Sequence, residues 1–232
     1  MAADEILDPP GSIAVLGGGI LGLEAALYAR FLGYDVTVFE ALDVGQSWLD
    51  SGDADLTFLP GRGISAFALQ AVRAQDDDPQ TLETLPTTAA GYAEQILRPL
   101  AEIDLLSGRV LTRHRVREVH RLPNAEDPSE LDFQIRCADH ETAWTAEAVI
   151  DTAGWANHQA PAQDPQHRWA ETAYFHIIDG RDSASAGQEG SAGQEGEDDW
   201  EQRSARGRDA IRRLFAMWGD REGLDLYRPT RL

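Results

Sequence analysis

The sequence predicts an α/β domain: a parallel sheet with a helix laid across it and an antiparallel β-meander inserted late in the chain. Three observations predict it. Two short apolar runs, Ile13-Ala-Val-Leu16 and Val36-Thr-Val-Phe39, flank a Leu- and Ala-rich stretch over 20–32, and a strand, a helix and a strand in about 28 residues is the size of one right-handed crossover. Three β-like segments follow at 110–120, 131–137 and 142–150, with short polar turns between them. The last ends in Ala148-Val-Ile150, an unbroken apolar run of the kind that marks a strand buried on both faces.

Taken in order, residues 1–10 read as a loose, acidic N-terminal tail with no basic segment before an apolar one, so no secretory signal is expected. The helix over 20–32 should stop at Gly33, which can take the left-handed C′ position. Residues 41–62 are rich in Gly, Asp and Ser and read as loop, and 64–74 as a helix broken by Asp76-Asp77-Asp78-Pro79. Thr87 or Thr88 then caps a helix with Tyr92, Ile96, Leu100 and Ile103 on one face, which Pro99 should kink. Residues 183–199 contain Ser-Ala-Gly-Gln-Glu-Gly twice in tandem, followed by Glu197-Asp-Asp199, and so offer little apolar area against the entropy of ordering. They are expected to be a disordered acidic insert in a single domain made of 11–182 and 200–232. A final helix over 210–218 places Ile211, Leu214, Phe215 and Trp218 on one face.

Composition excludes several functions. A formal charge of −20 in 232 residues argues against nucleic acid and anionic membrane surfaces as partners. No run approaches the roughly 20 apolar residues of a membrane span, so the chain is expected to be soluble and cytoplasmic. All 20 basic residues are arginine, which excludes a Schiff-base lysine and a phosphate-loop lysine. Cys137 is the single cysteine, which excludes an internal disulfide or dithiol redox pair, and it reads as a small buried strand residue.

The chemistry lies in Gly17-Gly18-Gly19-Ile20-Leu21-Gly22, a GxGxxG run set between a strand and a helix, the context such a pattern needs. Gly17 permits the tight turn, Gly19 lets a pyrophosphate approach the backbone, and Gly22 lets the helix pack close. The phosphates would meet the free N–H groups at the positive end of the helix. Glu40 ends the second strand, where an acid accepts hydrogen bonds from an adenosine ribose and repels a 2′-phosphate. The unit therefore reads as a binding site for the ADP half of a dinucleotide. A tight turn followed by a solvated strand end is the bland alternative.

Residues 13–41, through Ala41, resemble the N-terminal unit of the flavoproteins with two dinucleotide-binding domains, and within them the flavin-containing monooxygenase and thioredoxin-reductase-like groups. Three further segments fit in order. Val44-Gly45-Gln46-Ser47-Trp48 is similar to a Gly-Gly-x-Trp turn, with Gln46 in place of a glycine; Arg115-Val116-Arg117-Glu118-Val119 is similar to the strand whose backbone meets the adenine; Val149-Ile-Asp-Thr-Ala-Gly154 is similar to an Ala-Thr-Gly strand-turn beside the cofactor. The resemblance implies a Rossmann-like FAD/NAD(P)-binding domain. It implies FAD as cofactor, with NAD as the alternative, held by residues 17–22, Glu40, Ala41, Trp48, Val116 and Gly154. The family's second GxGxxG unit is missing, and Asp179-Gly180 inverts its late Gly-Asp motif. Reduction would then come from a bound small-molecule substrate or a partner reductase, or the chain is a degenerate nucleotide-binding or interaction module.

No catalytic triad, paired-carboxylate site or metal cluster is visible. His114 and His120, with their even spacing, would share one strand face as a surface pair, and His158, His167 and His176 read as scattered surface or packing residues. Each of the six tryptophans reads first as a core residue, and of them Trp48 is the best placed to stack on a flavin ring. Arg206, Arg208, Arg212 and Arg213 read as a solvated helix face opposite the acidic insert. The sequence leaves the substrate and the oligomeric state open.

Overall fold

The computed structural model describes residues 6–75, 84–125, 127, 130–158, 173–178 and 197–228. Five parallel strands form the main sheet: β1 (Ser12–Leu16), β2 (Asp35–Phe39), β3 (Val110–Leu111), β7 (Ala148–Asp151) and β8 (Phe175–Ile177), in the order β3-β2-β1-β7-β8. A separate antiparallel sheet, β4-β5-β6, is made of β4 (Val116–Pro123), β5 (Leu131–Cys137) and β6 (Ala143–Ala146). The expected fold class, a parallel sheet with a meander insert, is what the chain adopts.

Two of the three expected β segments split. In 110–120 the chain leaves the main sheet at Leu111, turns through Arg113 at φ +58°, and re-enters as β4 in the meander. In 142–150 the break is Glu147, whose carboxylate accepts from Ser12 N–H at 2.9 Å while its own N–H donates to the Ser12 carbonyl at 3.0 Å. That clasp moves the chain from antiparallel β6 to parallel β7.

Alternation along β1 sorts the core. Ile13 and Val15 face the helices with Val36, Val38 and Ile150; Ala14 and Leu16 face the meander with Phe39, Val149, Phe133 and Ile135. Helix α1 (Ile20–Phe31) ends at Leu32, with Gly33 at φ +96° just beyond. Its Leu23 and Leu27 are fully buried, each stabilising by about 1.5 to 3 kcal/mol.

The segment expected as loop holds two short helices, α2 (Gln46–Asp50) and α3 (Pro60–Gly63). Ser65, whose hydroxyl accepts from Ala68 N–H at 3.0 Å, opens α4 (Ala66–Arg73). Thr88 caps α5 (Ala89–Tyr92), which widens into a π-helical turn over Ala93–Leu97 before α6 (Arg98–Glu102). Pro99 cannot donate a helical hydrogen bond, and the wider turn just before it absorbs the defect expected there as a kink.

Helix α7 spans Glu197–Trp218, so it begins inside the segment expected to be a disordered insert, while 183–196 lie outside the described residues. Its buried face carries Ile211, Leu214, Phe215 and Trp218, as the pattern indicated. Residues 6–10 are not a loose tail. Leu7 is buried, its N–H donates to the Trp218 carbonyl, and its carbonyl accepts from the Tyr34 hydroxyl at 2.7 Å, because an apolar side chain in an acidic segment finds the α1–α7 seam. Among the described residues no helix is long and apolar enough to cross a membrane.

Glu24 lies on the inner face of α1, fully buried; it accepts from Ser65 N–H at 2.8 Å and sits 3.9 Å from Arg208. Arg208 is therefore an exception to the solvated face expected of the α7 arginines, since it turns inward, while Arg212 and Arg213 pair with Asp209. Burial raises the Glu24 carboxyl pKa against the opposing pull of Arg208 and Ser65. A folded pKa raised above the unfolded one contributes stability that is fully present below the unfolded value, roughly pH 4.3, and is lost as pH rises through the folded value. Glu24→Gln is expected to flatten the decline of unfolding free energy as pH rises above the unfolded carboxyl value, as read by urea titration at each pH.

Candidate functional site

The site begins where β1 pairs with β7. The register Leu16↔Asp151 sets the glycine loop beside the turn that follows β7. Gly17 leaves β1 at φ +102°, which an L side chain rarely adopts, and a Cβ there would lie 3.0 Å from Ala153 Cβ. Gly18 has Glu40 against it: its N–H donates to Glu40 Oε2 at 2.7 Å. Glu40 Oε1 accepts from Leu42 N–H at 2.9 Å, so the carboxylate faces the loop and ties the end of β2 to it. Gly19 is the N-cap of α1 in extended conformation; no side chain caps the helix, no acid lies in its first turn, and a Cβ on Gly19 would meet nothing within 4 Å. Unclaimed N–H groups at a helix N-terminus, with open space before them, suit a phosphate.

Gly22 has a sharper role than close packing in general. A Cβ there would fall on the Gly17 carbonyl oxygen and lie 2.8 Å from Thr152 Oγ1. The Thr152 hydroxyl donates to the Leu16 carbonyl at 3.0 Å and lies 3.3 Å from that of Gly17. One side chain from the turn after β7 thus sits between the two ends of the loop.

Asp151 holds that turn. Its carboxylate, 0% exposed, accepts from the N–H groups of Ala153 at 3.1 Å and Trp155 at 3.0 Å through Oδ1, and of Ala156 at 2.8 Å through Oδ2. Burial raises its pKa, and those N–H groups draw it back down. The sequence places both within the strand-turn that runs to Gly154 but gives neither of them a role of its own. The available signal was Asp-Thr inside a run otherwise buried on both faces.

The other expected site residues fall in three groups. Ile20 is buried and Leu21 packs against α7, where its side chain occupies the space a Cβ on Gly207 would need; Ala41 follows Glu40, half-buried. Val116 and Gly154, the latter at φ +69°, are brought together by Trp155, whose Nε1–H donates to the Val116 carbonyl at 3.1 Å. Trp48 goes elsewhere: it packs with Phe58, Tyr92 and Trp200 at ring-centroid distances of 5.7, 5.4 and 6.1 Å. Gly45, at φ +74°, lies against the π-helical turn, where a Cβ would come 2.8 Å from Ala93 Cβ. Asp179 and Gly180 lie outside the described residues.

His114 and His120 do not form a pair. The bulge between Val116 and Glu118 breaks the even spacing. His114 stacks on His140 at 3.8 Å beside Trp144, and His120 bonds Glu118 at 3.1 Å. A His176 ring N–H donates to the Ala173 carbonyl at 2.6 Å and the ring meets Trp218 edge-on; His167 and the His158 side chain lie outside the described residues. Among the described residues no group of three or more His, Cys, Asp or Glu is placed to hold a metal.

Cys137 is buried in the meander core, as its strand position indicated, and burial raises its thiol pKa to about 11. A thiol protonated at neutral pH and shielded from solvent reacts slowly. Its labelling by a disulfide reagent at pH 8 is expected to proceed only on unfolding, and the rate with and without urea checks this.

Residues 12–52 match the family model described as pyridine nucleotide-disulphide oxidoreductase. No curated protein matches the chain. Similar solved structures include a flavin monooxygenase from Stenotrophomonas maltophilia, at 18% identity over 61% of this chain and 37% of that one, with a TM-score of 0.40. FqzB aligns at 17% identity over 69% of this chain and 41% of that one, TM-score 0.44. OTEMO in complex with FAD and NADP aligns at 17% identity over 64% of this chain and 26% of that one, TM-score 0.43. The chain thus spans well under half the length of these proteins. Over residues 12–52 the resemblance read from the sequence is borne out: the chain is similar there to the pyridine nucleotide-disulphide oxidoreductases, and the similarity falls on β1, the glycine loop, α1, β2 and Glu40.

Proposed function

We propose that the chain binds FAD by its ADP half, with the pyrophosphate at residues 17–22 and the ribose on Glu40, and serves as an FAD-dependent oxidoreductase-like protein. The observation that carries the proposal is the empty space over Gly19 in front of the uncapped start of α1, with the Glu40 carboxylate beside it on the Gly18 N–H. The residues fit the group: unclaimed N–H donors for the phosphates, a carboxylate for the ribose hydroxyls, and a turn at Gly154 locked against the loop by Thr152 and Asp151. Bound FAD would supply the redox chemistry, and the chain would supply its position. The meander between β3 and β7 favours FAD over NAD, since the resemblance places that insert in flavoproteins. Reducing equivalents would come from a small-molecule substrate or a partner reductase.

A second reading, a nucleotide-binding module without flavin chemistry, is favoured by Trp48, the expected flavin-stacking residue, being packed into an aromatic cluster. The absorption spectrum of freshly purified protein, before and after incubation with FAD and desalting, separates the two. Flavin bands that stay with the protein support the proposal, and a colourless protein that takes up no FAD supports the second reading.

Glu40→Ala is expected to weaken binding by about 1.5 to 3 kcal/mol, the usual worth of hydrogen bonds to a charged acceptor, and to relax discrimination against a 2′-phosphate. The loop also loses its tie at Gly18, which places the effect toward the upper end. Titrations of FAD, NAD and NADP against mutant and parent check it; unchanged affinities would reduce Glu40 to a strand end.

A further inference from the structure

The turn that follows β7 reaches the glycine loop through a single hydroxyl. Thr152 Oγ1 lies 3.0 Å from the Leu16 carbonyl oxygen and 3.3 Å from that of Gly17. The Leu16 carbonyl is already supplied by two backbone donors, the N–H groups of Thr152 at 2.9 Å and Ala153 at 3.1 Å, one for each lone pair. The Gly17 carbonyl accepts from no backbone N–H among the described residues, so the hydroxyl proton counts for most there. Gly22 keeps the place open, since a Cβ on it would fall on the Gly17 carbonyl oxygen and lie 2.8 Å from Thr152 Oγ1. The turn presents the hydroxyl rigidly: the next N–H, that of Ala153, is also bound by the Asp151 carboxylate at 3.1 Å.

The other end of the same peptide group meets Glu40. A peptide is planar and trans, so the Gly17 carbonyl and the Gly18 N–H point in opposite directions from one rigid unit. The Gly18 N–H donates to Glu40 Oε2 at 2.7 Å. A glycine on each side leaves this peptide unusually free to rotate, and Gly17 already stands at φ +102°. Its orientation therefore depends on what holds its two ends, Thr152 at the carbonyl and Glu40 at the N–H. We propose that Thr152 is a positioning residue for Glu40: its hydroxyl fixes the Gly17–Gly18 peptide, whose N–H in turn fixes the carboxylate that meets the ribose. The proposal rests on the reading that the ADP half of a dinucleotide binds at this loop.

Thr152→Val keeps the branched shape and removes the hydroxyl, Thr152→Ala removes it without bulk against the carbonyls, and Thr152→Ser keeps it. The test reads each variant two ways: FAD and ADP affinity by calorimetry, and amide hydrogen exchange at Gly18 in the free chain by NMR. Thr152→Val and Thr152→Ala are expected to weaken both ligands by about 3- to 10-fold, the worth of one hydrogen bond, and to speed exchange at Gly18, while Thr152→Ser stays close to the parent in both. In a Glu40→Ala background the loss of the hydroxyl should cost the ligands nothing further, because the group it positions is gone. An equal loss in that background would overturn the proposal, since the threonine would then act without Glu40. So would parent-like affinity or parent-like Gly18 exchange in the variants without the hydroxyl, or a loss that serine does not restore. The exchange is read without ligand. A chain that binds neither FAD nor ADP would overturn the binding reading, and Gly18 exchange would still decide whether Thr152 holds the peptide.

Discussion

Gly19→Val is expected to weaken dinucleotide binding by 100-fold or more, about 3 kcal/mol, and to leave the fold standing. Backbone and surroundings both allow the substitution. Gly19 sits at φ −74°, where a β-branched residue is at ease, and a Cβ there meets no protein atom within 4 Å. The side chain would project into the space where a pyrophosphate must meet the N–H groups of α1, so the cost falls on the ligand. Parent and mutant should share an unfolding midpoint and differ in FAD affinity. Equal affinity would move the binding site away from this loop.

Gly22→Ala is expected to do the reverse and strike the fold itself, by about 3 kcal/mol or more, at the upper end of overpacking substitutions. The added methyl would fall on the Gly17 carbonyl oxygen, which is backbone, and crowd Thr152 Oγ1, which is held by its bond to Leu16. Neither neighbour is the free end of a flexible side chain. The strand–helix turn must open or the helix must shift, and both disturb the β1–β7 pairing beneath. Urea unfolding of Gly22→Ala reads the loss directly. A midpoint within error of the parent would mean the loop yields more easily than its contacts indicate.

What was legible in the sequence was what local pattern determines. Ile13-Ala-Val-Leu16, three glycines, a Leu/Ala run, Gly33 and a second apolar run specify strand, turn, helix, stop and strand with little help from the rest of the chain. The place of Glu40 at the end of β2 was legible for the same reason, since it follows from counting along one unit. Long-range partners were not legible. The split within 110–120 depends on β3 being just two residues long and pairing with β2, 72 residues earlier, before Arg113 turns the chain away. Thr152 and Asp151 gain their roles only when β7 lies beside β1. Glu24 gains its buried setting only when α7 brings Arg208 within 3.9 Å of it. Trp48 was placed by its likeness to a motif, but its neighbours Phe58, Tyr92 and Trp200 come from three separate segments that no local spacing reveals.

The central claim is that the ADP half of FAD is held at residues 17–22 and Glu40. Competition calorimetry tests it most directly, with FAD titrated into the chain alone and then into the chain saturated with ADP. The account predicts that FAD binds, that ADP binds more weakly at the same site, and that the apparent FAD affinity falls with ADP concentration as simple competition requires. FAD binding that ADP does not touch, or no binding of either, would contradict it.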